Sequence, residues 1–208
     1  LAAVFALYHI GLQLYDPRSA LAAAALFSSG FLVLGAAHLA QTDPGLMALA
    51  IAQQWALMQL YLAWQNGQPP PRHGWLWFWL AMAAGILVKG PVLPVLALLS
   101  VTTLCLWHGQ FRWLAIIRFW RGFAIVLLLC LPWALLVSAA TDGAFLSTAI
   151  SGDLLAKVKS GQESHGAAPG TYALVLAPLI WPATPLLIWT AGQVKAFTGR
   201  AETRFLLA

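Results

Sequence analysis

The chain has 208 residues, of which 61% are hydrophobic and only 8% are charged, and its formal charge is +5. About a quarter of the residues in an ordinary soluble domain are charged. The composition therefore excludes a water-soluble globular protein and predicts a chain surrounded by lipid. The eleven tryptophans agree, because indole rings favour the membrane interface. The basic residues do not cluster as in a nucleic-acid-binding protein, so we expect no nucleic-acid partner.

Apolar stretches of helical length follow one another along the chain. A helix needs roughly 20 apolar residues to cross a bilayer. Seven segments are predicted to be spans or parts of spans: 1–14, 19–39, 45–64, 75–88, 92–107, 123–140 and 172–190. Within them, Ser28 to Gly30 predict close helix packing or a break, and three prolines predict kinks in the last segment. We expect Thr42 or Asp43 to cap the third segment.

The fold class predicted from these segments is all-α, a polytopic transmembrane helix bundle of about seven spans. Residues 1–208 form a single transmembrane domain, and residues 141–171 form an extracytoplasmic loop within it. The stretch HGQFRWLAIIRFWRG, with arginines among aromatic residues, predicts an amphipathic helix at the membrane interface. Because the chain starts inside an apolar run and has no initiator Met, we expect a fragment of a longer protein.

The basic residues predict an orientation for the bundle. If the loop after the first segment is cytoplasmic, alternation places eight basic residues inside: Arg18, Arg72, Arg112, Arg118, Arg121, Lys195, Arg200 and Arg204. Lys89, Lys157 and Lys159 then lie outside, as the positive-inside rule requires. The segment QTDP, the segment KGP and residues 141–171 share the outer face. The sequence therefore predicts one site built from these three segments.

The longest polar stretch, Ser151 to Thr171, is a candidate part of that site. Its Lys157 and Lys159 either contact a phosphate or an anionic headgroup, or are simply solvated. Glu163 and His165 have the spacing of a metal-binding pair, but two ligands are too few to define a metal site. A solvated loop explains them equally well. A divalent cation is possible, and no other cofactor is predicted. Cys105 and Cys130 lie in apolar runs, without metal-ligand spacing.

Lys89 and Asp43 are the candidates at the ends of predicted spans. Lys89 lies between ILV and GPVLP, where a bare ammonium is costly, and an ionisable residue in such a place is a functional candidate. An outer-face cation would suit a lipid-linked phosphate, although snorkelling to the interface would also explain it. Asp43 precedes a proline at a helix start, so helix capping is the plain alternative to a functional role.

An ordered set of motifs resembles a known group of enzymes. The motifs are LYDPRSALAAAALFSS, HLAQTDPGLMALA, GILVKGPVLPVLALL, LPWALLV with GAFL, and GQESHGAAPGTYALVLAPLIWP. In this order they resemble the bacterial polytopic glycosyltransferases of family 39 type, related to protein O-mannosyltransferases and the lipid A aminoarabinose transferase. The resemblance implies a GT-C fold with its active site at the outer face. It also implies a sugar donor on polyprenyl phosphate.

The resemblance assigns residues to this site. Asp43 matches the acid of the family's TD motif, Lys89 the lysine of its KGP motif, and His165 the histidine of its outer loop. The family's main catalytic acid lies on an outer loop that precedes this chain. The general base is therefore not named, and we expect the fragment alone to be inactive.

The sequence thus predicts a membrane glycosyltransferase of the bacterial inner membrane with a periplasmic active face. It would move a sugar from a polyprenyl-phosphate donor to a lipid, glycan or protein acceptor, with membrane lipids as partners. Lys89, with Lys157 or Lys159, would hold the leaving phosphate, and Asp43 would orient a sugar hydroxyl or a cation. A transporter or flippase of lipid-linked sugars is the alternative, since proline-broken helices and an intramembrane lysine suit it too. A structural membrane subunit is the third possibility.

Overall fold

The computed structural model describes residues 1–38, 42–147, 171–193 and 199–208. These residues form α-helices and one short 3₁₀ helix, without any strand, which confirms the all-α prediction. In chain order the α-helices are α1 Ala2–Leu14, α2 Pro17–Ser28, α3 Phe31–His38, α4 Asp43–Gln65, α5 Gly74–Lys89, α6 Val92–His108, α7 Phe119–Ala140, α8 Ala144–Ser147, α9 Thr171–Leu179, α10 Thr184–Ala191 and α11 Ala201–Leu207. The 3₁₀ helix, Arg112–Ile117, lies between α6 and α7.

Two helices of the described residues are long and apolar enough to cross a membrane. They are α4, with 23 residues, and α7, with 22 residues. Three further apolar helices, α1, α5 and α6, are shorter, with 13, 16 and 17 residues. The predicted bundle of seven spans is therefore not confirmed, although the apolar segments that suggested it are helical.

The second and seventh predicted segments are each divided into two helices. The second breaks at Ser29 and Gly30, where the hydroxyls of Ser28 and Ser29 donate hydrogen bonds to the carbonyls of Ala25 and Leu26. Such side-chain bonds compete with the helical pattern. The seventh breaks over residues 180–183, between α9 and α10. Here Pro182 has no N–H to continue the helix.

The predicted interfacial helix at residues 108–122 was wrong. Residues 112–117 form a 3₁₀ helix, and the long helix α7 already begins at Phe119. Trp113 and Ile117 are buried in the core instead of lying flat on a membrane surface. The reason is local geometry: Arg118 has φ +53° and ψ +53°, so the backbone turns between the two helices. The composition of the segment does not reveal this turn.

Asp16 starts helix α2 by a capping arrangement. Its carboxylate accepts hydrogen bonds from the backbone N–H of Arg18 (2.9 Å) and Ser19 (3.1 Å), and from the Ser19 hydroxyl (2.7 Å). These bonds, chiefly the one from the hydroxyl, lower the pKa of Asp16. Pro17 in the first turn has a φ suited to a helix start. The YDPRS stretch therefore ends one helix and begins the next.

The core lies between α4, α5 and α6, which form an antiparallel series. Gly74, at the start of α5, lies against Leu60 near the end of α4, and Lys89 at the end of α5 reaches Asp43. Gly85 of α5 lies so close to Leu93 of α6 that a Cβ at this position would require the Leu93 side chain to shift. The buried residues of this core include Leu57, Phe78, Trp79, Met82, Ala97 and Leu104.

Helix α7 runs in the same direction as α5. Near its start, Gly122 packs directly on the indole of Trp79, whose Nε1 donates a 2.8 Å hydrogen bond to the Ile117 carbonyl. Further along, Cys130 Sγ lies 3.7 Å from the Ala83 carbonyl oxygen. The contacts thus advance along both helices together. The end of α7 therefore lies at the same end of the bundle as Lys89.

An aromatic cluster closes the opposite end of the core. Tyr61 of α4 lies with its ring 5.9 Å from that of Trp113 and 5.8 Å from that of Phe205 on α11. Its hydroxyl lies 2.7 Å from His108 Nε2, at the end of α6. The cluster joins α4, α6, α11 and the 3₁₀ helix.

The bundle therefore has two ends with different charge. The Asp43–Lys89 end comprises the start of α4, the end of α5 and the end of α7. The arginine end comprises the aromatic cluster and the loops around it. Every arginine in the described residues lies at or near the arginine end: Arg18, Arg72, Arg112, Arg118, Arg121, Arg200 and Arg204. Lys89, the only lysine that the structure describes, lies at the other end.

Candidate functional site at the Asp43–Lys89 end

Asp43 and Lys89 form an ion pair, in which Lys89 Nζ donates a short hydrogen bond to Asp43 Oδ1. Asp43 is the first residue of α4, and Lys89 is the last residue of α5. The antiparallel packing of these two helices brings the residues together, although 46 positions separate them. Thr42 makes no capping bond through its side chain. The capping prediction was therefore wrong for Thr42, and the Asp43 carboxylate binds the lysine.

Both charges have favourable positions relative to the helix dipoles. An acid at a helix start and a base at a helix end are each stabilised by about 0.3–1 kcal/mol. The pair itself contributes little more, because the side chains are 50% (Lys89) and 47% (Asp43) exposed, and exposed ion pairs contribute about 0.2–1 kcal/mol. Stability alone is therefore a weak reason for placing two charges at this point of an apolar chain.

The pair leaves part of the lysine available to a ligand. An ammonium group has three N–H donors, and the described residues accept only the one directed at Asp43. Because half of the Lys89 side chain is exposed, the other donors remain accessible to a ligand. Asp43 thus holds the flexible Lys89 side chain in one position, and the Lys89 ammonium still carries donors for an anion.

The KGP turn ends helix α5 at Lys89. Gly90 has φ +64° and ψ −130°, a conformation that suits glycine, and its N–H donates to the Ile86 carbonyl at 2.9 Å. Pro91 then precedes the first residue of α6. Any side chain at position 90 would be strained even though space is free around it. The glycine therefore permits the sharp reversal that leaves Lys89 at the tip.

An apolar groove of about 460 Å³ opens beside Asp43. It runs along α3 and the first turns of α4, and Leu179 from α9 completes it. The Phe31 N–H donates to the Trp181 carbonyl at 3.3 Å, which joins α3 to the turn after α9. The residues that line the groove are Phe31, Leu32, Val33, Gly35, Ala36, Asp43, Pro44, Met47 and Leu179. The Asp43 carboxylate is the one ionisable group among them.

The predicted loop residues of the site, Lys157, Lys159, Glu163 and His165, lie outside the described residues. The structure describes the chain that leads toward them as far as Ser147, and α7 ends on the same side of the bundle as Lys89. Among the described residues, no group of three or more His, Cys, Asp or Glu side chains is placed to hold a metal ion.

The sequence analysis missed two features of this end. It did not predict that Asp43 and Lys89 pair with each other, because that depends on the packing of α4 against α5. It also did not predict the groove, because residues 31–38 read as the second half of one span. The Ser28–Gly30 stretch was the available signal, since a break there makes α3 a separate short helix.

Comparison with known proteins gives a partial match. No protein-family model and no solved structure matches the chain. A protein of Pseudomonas paraeruginosa named undecaprenyl phosphate-alpha-4-amino-4-deoxy-L-arabinose arabinosyl transferase is 34% identical over 126 residues, which is 60% of this chain and 22% of that protein. Proteins of the same name from two Pseudomonas aeruginosa strains, UCBPP-PA14 and LESB58, are 35% identical over 127 residues and 33% over 130 residues, with the same coverage.

The matched region therefore spans about a fifth of the length of these relatives. This match supports a distant relationship to glycosyltransferases. Over this region, the chain is similar to transferases named for a sugar carried on undecaprenyl phosphate.

Proposed function

We propose that the chain is part of a membrane glycosyltransferase whose donor is a sugar linked to polyprenyl phosphate. The observation that carries the proposal is the anchored cation, Lys89, at the end of the bundle away from the arginines. The names of the relatives support the class of donor. A lipid-linked donor keeps its reacting carbon at the membrane surface, so a site at one end of a membrane helix pair suits it.

The charge distribution supports an orientation for this proposal. Because basic residues favour the cytoplasmic side, the arginine end would face the cytoplasm. The Asp43–Lys89 end would then face outward, which in a bacterial inner membrane is the periplasmic side. Under this proposal, Lys157, Lys159, Glu163 and His165 join the same outer face.

In the proposed reaction, the bond between the anomeric carbon and the carrier phosphate breaks, and a bond to an acceptor hydroxyl forms. A carboxylate would remove the hydroxyl proton, and that acid would lie on another part of the full-length protein, as the resemblance to family 39 enzymes implies. Negative charge develops on the leaving phosphate, and the free N–H donors of Lys89 would stabilise it. Asp43 holds the ammonium in place, and the adjacent groove would take apolar carrier next to the phosphate.

The test is transfer of labelled sugar from polyprenyl-phosphate donors by membranes that contain the full-length protein. We expect Lys89→Ala to lower kcat/KM at least about 100-fold, the usual effect of removing a donor to a developing negative charge. Asp43→Asn should have a smaller effect, because the cation remains. Once Lys89 is Ala, Asp43→Asn should add little, since the two residues act as a unit.

Arg121→Ala serves as the matched control, since it removes an exposed positive charge at the arginine end. It should leave transfer unchanged. Normal transfer by Lys89→Ala would refute the phosphate role. Failure of the wild-type protein to transfer any sugar, with movement of the intact lipid-linked sugar across the bilayer, would establish the flippase alternative.

A further inference from the structure

Two cavities at the arginine end share the loop before α5. One cavity, of about 580 Å³, lies between this loop and the 3₁₀ helix, and Arg72, His73, Trp75 and Arg118 line it. The other, of about 730 Å³, runs as a groove between α4 and α5. Pro71, Arg72 and His73 line both cavities, so the two cavities adjoin at this loop.

The first cavity has the chemistry of an anion site. Its ionisable residues are Arg72, His73 and Arg118, and none of the described residues that line it is acidic. The Arg118 guanidinium lies over the Trp75 ring, 5.2 Å from the ring centre. This cation–π contact holds the guanidinium at the cavity while its N–H donors remain able to bind an anion. Neither arginine has an ion-pair partner among the described residues.

Arg118 also has an unusual backbone. With φ at +53°, it is one of two non-glycine residues in the described chain that have a positive φ. Such a conformation is costly for a residue with a Cβ, and it tends to occur at binding and active sites. Here it reverses the chain between the 3₁₀ helix and α7, and so carries the guanidinium to the face of Trp75.

The second cavity has the shape and chemistry of an acyl-chain site. Leu49, Ala52 and Ala56 line it on α4, and Leu80, Ala81 and Ala84 line it on α5. Together with the lining residues nearest the loop, these residues span a length of about ten residues on each helix. At a rise of 1.5 Å per residue the groove is about 15 Å long. This length is about half of the 30 Å hydrocarbon core, which is the depth of one leaflet.

We propose that these cavities together bind one anionic phospholipid from the leaflet at the arginine end. Its phosphate would lie between Arg72 and Arg118, and an acyl chain would lie in the α4–α5 groove. Charge complementarity and the length of the groove select this occupant. A free anion would make no contact with the apolar groove. A lipid without net charge would gain little from the two arginines. The site is distinct from the Asp43–Lys89 end and does not depend on transferase activity.

The test uses the purified full-length protein in a neutral detergent, with bound lipid counted by native mass spectrometry during titration with phosphatidylglycerol. Each surface arginine contributes about 1 kcal/mol toward an anionic lipid, so Arg72→Ala with Arg118→Ala should weaken the tightest binding about 30-fold. The matched control is Arg112→Ala with Arg121→Ala, which removes the same charge from the same end but outside both cavities. It should weaken binding much less.

Three further measurements separate the occupants. Phosphatidylcholine should bind the wild-type protein no better than it binds the double arginine variant. Inorganic phosphate should not compete at millimolar concentration, and competition would reduce the site to a simple anion pocket. Ala84→Phe, which fills the groove and keeps both arginines, should also abolish tight binding, whereas Ala124→Phe on exposed α7 should not. The proposal would be overturned if both double arginine variants lost the same affinity for phosphatidylglycerol, or if Ala84→Phe still bound the lipid tightly.

Discussion

Two glutamines in this fold differ in burial and in hydrogen bonding. Gln53, in the middle of α4, is fully buried, and neither its oxygen nor its nitrogen has a hydrogen-bond partner among the described residues. Gln13, on α1, is exposed and accepts a 2.9 Å hydrogen bond from Trp55 Nε1. A buried amide without a partner costs about 1–3 kcal/mol. Gln53 is therefore a local weakness of the core, whereas Gln13 joins two helices.

We expect Gln53→Leu to raise the free energy of unfolding by about 1 kcal/mol, because it removes an unsatisfied buried amide. Gln13→Leu should lower it by about 0.6 kcal/mol, the typical value for a hydrogen bond between membrane helices. Unfolding of the full-length protein in detergent measures both. A loss of stability in Gln53→Leu would mean that the amide has a partner in the full-length protein.

At the residue scale, the sequence identified single side chains better than their partners. Lys89 stood out because a charge in an apolar run is costly, and Asp43 was a candidate because it matches the TD motif of the family that the chain resembles. Their mutual contact depends on the packing of α4 and α5, which no local pattern contains. Arg72 was counted only among the cytoplasmic basic residues, and Arg118 was predicted to lie in an interfacial helix. Their shared cavity depends on the positive φ of Arg118, which composition does not reveal.

At the element scale, apolar length predicted where helices occur but not where they stop. The third, fourth and fifth segments were placed to within about two residues at each end. The second and seventh were each drawn as one segment although each contains two helices, because a count of apolar residues is insensitive to serine hydroxyls and to a missing proline N–H. The sequence analysis noted the Ser28–Gly30 stretch and the prolines of the last segment, and the structure shows breaks at Ser29–Gly30 and around Pro182.

The contact between α5 and α7 depends on a missing side chain. A Cβ at Gly122 would overlap the Trp79 ring, which the hydrogen bond from Nε1 to the Ile117 carbonyl holds in place. We expect Gly122→Ala to lower the free energy of unfolding by about 2 kcal/mol, because overpacking forces the helices apart or breaks that bond. Gly45→Ala in α4, where nothing lies within 4 Å of the new methyl group, should cost nothing in the same unfolding assay.

If Gly122→Ala proved as stable as Gly45→Ala, α7 would have to pack elsewhere on the bundle. The comparison is informative because both glycines are helical and both changes add one methyl group. Only the close approach to Trp79 distinguishes them.

For the whole molecule, the separation of arginines from Lys89 predicts an orientation that chemical labelling can check. In a variant without Cys105 and Cys130, Ala144→Cys after α7 should react with a membrane-impermeant maleimide on intact cells with permeabilised outer membranes. Gln68→Cys, in the loop between α4 and α5, should react only after the inner membrane is opened. Both positions are exposed, so labelling depends only on which side of the membrane the reagent reaches. The reverse pattern would place the Asp43–Lys89 end in the cytoplasm.

The aromatic cluster at the arginine end also sets an order of assembly in time. Tyr61, Trp64 and Trp113 contact one another, but Phe205, which completes the group, is translated about 140 residues after Tyr61. At about 5–20 residues per second, this part of the cluster stays open for roughly 7–30 seconds during synthesis. The α4–α5 hairpin, whose partners follow within tens of residues, can form long before. The aromatic cluster can therefore pack completely only after α11 has been synthesised. A ribosome that stalls before Phe205 would leave the Tyr61 ring uncovered on that side.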